Sequence, residues 1–157
     1  MASERHLLVD GSNIVHAWPE LRVMLAHSRP AACASLERSL AAIHDGEGVR
    51  VTLVFDGSGR ELDLRCPGGR RTFSVVRTPT GMTADDFIES WVGRATMPTE
   101  CWVATGDAGE GRTIVGLGAH WISPEDLAAW ARRSDGMQGA NLAGRTREND
   151  RNWKRNS

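Results

Sequence analysis

The 157-residue sequence contains no apolar run approaching the roughly 18 residues that a membrane span requires. Its start, MASERHLLVD, is charged within a few residues and has no long apolar stretch, so no secretory leader is expected. Cysteine is scarce: Cys33, Cys66 and Cys101 are odd in number, widely spaced and never in a CxxC pair. That argues against a zinc site or a disulfide framework and for a reducing cytoplasm. No internal repeat is visible. After the first apolar run comes DGSNIV, which lacks the GxGxxG of a dinucleotide-binding turn. It also lacks an aspartate two positions after Asp10, where a phosphatase of the haloacid type would need one; Ser12 stands there.

What remains is an ordinary single-domain composition, 40% hydrophobic and 25% charged, with a net charge of −1. The charge is uneven. Residues 57–80 carry Arg60, Arg65, Arg70, Arg71 and Arg77 against Glu61 and Asp63. From Ser134 onward Arg145, Arg147, Arg151, Lys154 and Arg155 outnumber Asp135, Glu148 and Asp150. Two mildly basic segments fit a polyanionic partner, and equally fit solvated loops.

Apolar patterning predicts strands at 7–10, 49–56, 72–78, 101–107 and 120–123. Helices are expected over 31–44, 83–96, 110–117 and from Ser123 and Pro124 onward. Trp18-Pro19-Glu20 reads as a loop, and 57–71 as a mobile glycine- and arginine-rich loop. Residues 1–133 should form the folded domain; 134–157, rich in Gly, Asn and Arg, reads as a disordered tail. Strands alternating with helices imply an α/β fold, a mostly parallel sheet covered on both faces. Ligands in such sheets bind at the carboxyl ends of the strands.

Asp10, Asp56 and Asp107 each end an apolar strand, and Asp85 and Asp86 open the helix after the third. One strand-ending aspartate needs only turn chemistry. Several at one edge are harder to explain that way, since two charges about 5 Å apart repel by roughly 3 kcal/mol at an effective dielectric of 20. A cation would neutralise them, and oxygen ligands suit Mg²⁺ or Mn²⁺. Turning about 100° per residue, Ala84, Phe87, Ile88, Trp91, Val92 and Ala95 share one side of the helix. Asp85 flanks that side and is the expected ligand. Asp86 faces solvent, and Thr83-x-x-Asp86 has capping-box spacing, so Asp86 is second choice. Asn13 could hold Asp10 or a phosphate oxygen, or merely cap. Thr105 could hydrogen-bond a carboxylate. His16 is given no catalytic role. Trp91 and Trp130 fall on apolar stripes, and Trp18 could stack on a base, though core packing explains most tryptophans.

LLVDGSNIVHAWPELR, VTLVFDG, TADDFIE and VATGD, in this order and spacing, resemble the YacP-type NYN ribonucleases of the PIN-like superfamily over residues 6–133. The resemblance implies a Rossmann-like sheet of order 3-2-1-4-5 and an acidic site for a divalent metal. It implies endoribonuclease activity, in some relatives mRNA cleavage associated with translating ribosomes. Carried over by position, the site is Asp10, Asn13, Asp56, Asp85 and Asp107, with Asp86 as a further metal ligand. Arg60, Arg65, Arg70 and Arg71 would hold the RNA backbone. Relatives commonly have an aromatic residue at Ser12 and a serine at Gly106. A rival reading is a non-catalytic RNA- or ribosome-binding module that retains the acidic site.

Overall fold

The structure, a computed structural model, describes residues 5–136. Six strands form one sheet: β1 (His6–Asp10), β2 (Arg50–Gly59), β3 (Asp63–Arg65), β4 (Phe73–Pro79), β5 (Cys101–Ala104) and β6 (His120–Ile122). Their order is β3-β4-β2-β1-β5-β6, parallel throughout except for β3. The five expected strands thus hold the expected order 3-2-1-4-5. The addition is β3, a short antiparallel strand on the edge of β4. It lies in the stretch expected to be a mobile loop, and β2 itself continues to Gly59. All three residues of β3 are exposed, so no apolar alternation announced it; pairing with β4 defines it.

The helices are α1 (Gly11–Ala17), α2 (Pro19–Leu25), α3 (Arg29–Glu47), α4 (Ala84–Arg94) and α5 (Ala108–Gly116). A further helix, α6, begins at 124 and is helical through 136, beyond the expected boundary at 133. The rest of the expected tail lies outside the described residues. The expected loop at Trp18-Pro19-Glu20 is instead the junction of α1 and α2, where Pro19 occupies the first turn of α2 and needs no N–H partner. Trp18 is 5% exposed and donates from Nε1 to the Pro124 carbonyl at 2.8 Å, so it belongs to the core and not to a base-stacking loop.

Alternation along each strand sorts side chains between two apolar layers. Leu7, Val9, Val51, Leu53 and Phe55 pack with α1, α2, α3 and α6. Leu8, Val54, Cys101 and Val103 pack with Ala84, Ile88 and Val92 of α4 and Ile114 of α5. Helices therefore cover both faces, as expected. Leu7, Leu8 and Val9 are wholly buried, each side chain contributing about 1.5–3 kcal/mol. Continued one step beyond Leu8 and Val54, the same alternation aims Asp10 and Asp56 towards the α4 and α5 layer.

The amino edge carries a pH-sensitive contact. His6 is 7% exposed, its Nε2 lies 2.7 Å from Thr52 Oγ1, and its ring stands edge-on to Trp91. Trp91 itself is 42% exposed, so its place on the apolar stripe leaves much of the ring in solvent. Burial, then the charge of Arg50, holds the His6 imidazole down to about 4, against 6.5 ordinarily. The folded chain thus refuses a proton that the unfolded chain accepts. This stabilisation is whole above pH 6.5 and is lost as pH falls towards 4, a difference of roughly 3 kcal/mol. His6→Gln should flatten the pH dependence of unfolding free energy in that window; an unchanged slope in the variant contradicts the assignment.

Candidate active site

The carboxyl edge is built from three helix starts aimed at the ends of β1, β2 and β5. Asp10 closes β1 and caps α1, its Oδ1 accepting the Asn13 N–H at 3.2 Å. Asp56, at the carboxyl edge of β2, accepts the Ala84 N–H on Oδ1 at 2.6 Å and so meets the start of α4. Asp107 caps α5, its Oδ1 accepting from Gly109 and Glu110 N–H groups at 2.8 and 3.2 Å. Helix N-termini carry partial positive charge, which offsets some of the carboxylate repulsion.

Loops are tied together beneath these caps. Ser12 Oγ accepts the Asp56 N–H at 3.0 Å, joining the end of β1 to the end of β2. Ser12, where an aromatic residue was the expectation from the resemblance, is therefore a brace for Asp56. Asn13 Oδ1 accepts the Gly106 N–H at 2.7 Å, so its amide spans two loops and does not hold Asp10. A Cβ on Gly106 would press on Asn13 Oδ1 at 3.0 Å and Pro124 Cγ at 3.1 Å. Glycine there permits the close approach that a serine would crowd.

Asp10, Asp56 and Asp85 are brought together, and Asp86 and Asp107 are turned to other tasks. Asp10 is 8% exposed; burial pushes its carboxyl above the ordinary range, and the charges of Asp56 and Asp85 push the same way. Asp85 keeps Oδ1 sealed from solvent. Asp86 is exposed and closes the expected capping box with Thr83, the two bonds at 3.0 and 3.1 Å. Glu89, further along α4, is raised by burial and then by Asp85.

Glu110 is the residue that the strand-end pattern missed. It sits in the first turn of α5 and is 3% exposed. Burial, then the charge of Asp10, pushes its carboxyl up to about 9. Thr105, fully buried on the same side of β5 as Val103, donates to Glu110 Oε2 at 2.8 Å and accepts the Asp107 N–H at 3.1 Å. In sequence, Asp107-x-x-Glu110 has capping-box spacing, which masks any other role. The only available signal was the alternation that turns Thr105 towards α5. Thr105→Val would leave Glu110 and the Asp107 N–H short of a partner. It should cost roughly 1–3 kcal/mol by denaturant unfolding, and a loss below about 0.5 kcal/mol contradicts the network.

None of Asp10, Asp56, Asp85 and Glu110 has an Arg, Lys or His ion-pair partner among the described residues. Nor do any three His, Cys, Asp or Glu side chains there stand in ligating geometry about one point.

The four expected RNA-binding arginines differ in availability. Arg65 pairs with Glu37 through two bonds of 2.9 Å, and Arg70 with Asp45 through two of the same length. Arg60 and Arg71 are exposed without an ion pair among the described residues, but Arg71 precedes β4 at the amino edge, away from the carboxylates. Arg29 and Arg77 line a cleft of about 500 Å³ with Asp56, Gly57 and Thr78. A larger cavity, about 730 Å³, lies at the amino edge between His6, Arg50, Trp91 and Met97. Its only carboxylate is Glu100, so it lies far from the acidic chemistry in kind and in place.

Known proteins share this fold. The model of the YacP-like NYN domain matches residues 7–156. The uncharacterized protein YacP of Bacillus subtilis strain 168 is 35% identical over 123 residues, covering 77% of this chain and 71% of its own. The crystal structure of Rae1 (YacP) from Bacillus subtilis superposes with a TM-score of 0.76 at 30% identity, over 92% of this chain and 83% of that one. Its W164L mutant gives the same TM-score at 29% identity, over 91% and 84%. With its five-strand parallel order and its acidic carboxyl edge, the chain belongs to the YacP-like NYN domain family, a nuclease-like family.

Proposed function

We propose that the chain is a metal-dependent endoribonuclease that hydrolyses RNA phosphodiesters. The observation that carries this reading is Asp10, a buried carboxyl whose neighbours are Asp56, Asp85 and Glu110 and not a basic residue. Such a set is costly unless something positive completes it. Hard oxygen donors and a dispensable histidine fit Mg²⁺ or Mn²⁺. Asp10, Asp56 and Asp85 would hold the ion, which when bound supplies an activated water and offsets charge on the departing oxygen.

The chain's own residues do the positioning. Ser12 and Asn13 lock the ends of β1, β2 and β5 to one another through the bonds to Asp56 and Gly106. Asp86 and Asp107 hold the starts of α4 and α5. Arg29, Arg60 and Arg77 would hold the RNA backbone beside Asp56, while Arg65 and Arg70 stay with their carboxylate partners. With this reading go two expectations, mRNA on translating ribosomes as substrate, from the resemblance, and a cytoplasmic location, from the cysteine usage.

The test is incubation of the purified chain with structured and unstructured RNAs, with Mn²⁺ and with EDTA. Internal cleavage that EDTA abolishes is the expected result. RNA bound but never cut would make the protein a binding module instead.

A further inference from the structure

The amino-edge cavity of about 730 Å³ opens at the opposite end of the strands from Asp10. Its floor is the start of three neighbouring strands, where His6 of β1 pairs with Arg50 of β2 on one side and Cys101 of β5 on the other. Its wall is α4, through Phe87, Trp91 and Arg94, with Met97 just beyond the helix. Trp91 lies on the apolar side of α4 yet stays 42% exposed, and Met97 is 55% exposed. Apolar surface of that kind gains free energy when something covers it, and a pocket of this size with a few polar groups suits a small ligand.

The rings give the pocket a flat face. Phe87 stacks beside Trp91, centroids 6.4 Å apart and planes 24° from parallel, while His6 meets the Trp91 ring edge-on. Nucleobases stack on such faces, and a purine, the larger base, covers more of one.

The charges select an anion. Arg50 and Arg94 are exposed, and neither has an ion-pair partner among the described residues. Arg94, in the last turn of α4, suits the helix dipole; Arg50, at the start of a strand, has no such reason to be there. His6 is held neutral, so Glu100 alone opposes the two guanidinium groups. Guanidinium N–H donors in pairs match phosphate oxygens. The Ser90 and Thr96 hydroxyls and the Glu100 carboxylate can answer the hydroxyl and amino groups of a nucleoside. A long RNA strand running from the carboxyl edge is disfavoured, because α4 carries Asp85, Asp86 and Glu89 along that path and their charges repel a phosphate backbone.

We propose that this cavity binds a free purine nucleoside monophosphate, its base on Trp91 and its phosphate on Arg50 and Arg94, at a site separate from the acidic edge. The proposal stands whether or not the chain cuts RNA.

The experiment titrates AMP into the full chain in EDTA, followed by calorimetry, with adenosine, ribose 5-phosphate and a single-stranded RNA oligonucleotide titrated in parallel. Trp91→Leu, Arg50→Gln, Arg94→Gln and Asp10→Asn are compared with the unaltered protein. Both arginines are exposed, so their variants keep the proposal testable even if Trp91→Leu unfolds. AMP affinity should fall roughly tenfold or more in Arg50→Gln and in Arg94→Gln, the scale of a hydrogen bond to a charged group. In Trp91→Leu it should fall roughly 5- to 100-fold, the scale of base stacking. Asp10→Asn should bind AMP as the unaltered chain does. Adenosine and ribose 5-phosphate, each lacking one half of the ligand, should bind at least roughly tenfold more weakly than AMP. Absence of AMP binding overturns the proposal, as does equal affinity for adenosine or for ribose 5-phosphate. Binding lost in Asp10→Asn but kept in Arg50→Gln would place the nucleotide at the acidic edge and overturn it too. An oligonucleotide that binds more tightly than AMP and is released by Trp91→Leu would make the cavity an RNA subsite. Self-association of the chain that Trp91→Leu abolishes would make it an interface between copies. Either result overturns the proposal.

Discussion

Asp10→Asn is expected to abolish RNA cleavage while leaving the protein folded and at least as stable as before. The two effects have one cause. Asp10 is buried among Asp56, Asp85 and Glu110, and its carboxyl is pushed above its ordinary range, mainly by burial. A neutral amide of the same shape relieves that cost. Asparagine still caps α1, because its oxygen can accept the Asn13 N–H that Asp10 accepts now. Its amide nitrogen can donate to Glu110, replacing the hydrogen bond that the Asp10 and Glu110 carboxyls share now. Stability should therefore hold, since a buried charge is removed and a hydrogen bond to Glu110 is kept. The same exchange removes the central ligand. Cleavage should drop by at least roughly 10²–10³-fold, the scale on which one well-placed electrostatic group acts. A variant that unfolds, or one that cuts RNA at the normal rate, contradicts this account of Asp10.

Gly57→Ala carries the largest expected loss of stability. A Cβ at Gly57 would lie 2.2 Å from the Thr78 carbonyl oxygen, a backbone atom, and 3.3 Å from Arg77 Cβ. Neither strand yields easily, because β2 and β4 are neighbours in the parallel sheet, paired from Val51 with Phe73 to Phe55 with Arg77. Thr78 is also fixed, its hydroxyl donating to the Met82 carbonyl at 2.7 Å and accepting the Gly57 N–H at 3.3 Å. An added methyl must part the two strands beside Asp56. Overpacking of this kind costs about 3 kcal/mol, and the displaced Asp56 should lower cleavage as well. Denaturant unfolding and an RNA cleavage assay on one preparation read both. A variant as stable as the parent would mean that the strands separate freely there.

The carboxyl edge was legible because each of its strands is an apolar run stopped by an aspartate, and the parallel α/β pattern places all such stops together. The different surroundings of Asp85 and Asp86 were legible too, since about 100° of helix rotation separates a half-buried flank from a solvent face. Other features depended on contacts distant in sequence. Glu110 reads as a helix-start acid until Thr105 and Asp10 are seen beside it. Arg65 and Arg70 read as free cations, and only the folded chain brings Glu37 and Asp45 to them. Short α1 escaped notice because GSNIVHA mixes turn formers with a β-branched valine, and it is helical through the Asp10 cap and packing of Ile14 and Val15. Ser12, where the resemblance leads one to expect an aromatic residue, braces Asp56 in this fold.

Chemistry at the RNA ends tests the central claim most directly. Attack by a metal-activated water with departure of the 3′ oxygen leaves a 5′-phosphate and a 3′-hydroxyl, whereas attack by the neighbouring ribose hydroxyl leaves a 2′,3′-cyclic phosphate. The measurement is mass analysis of the fragments that the purified protein makes from a defined RNA in Mn²⁺. The expected result is 5′-phosphate and 3′-hydroxyl ends that vanish with EDTA and with Asp10→Asn. Cyclic phosphate ends, or fragments that persist under either condition, would contradict it.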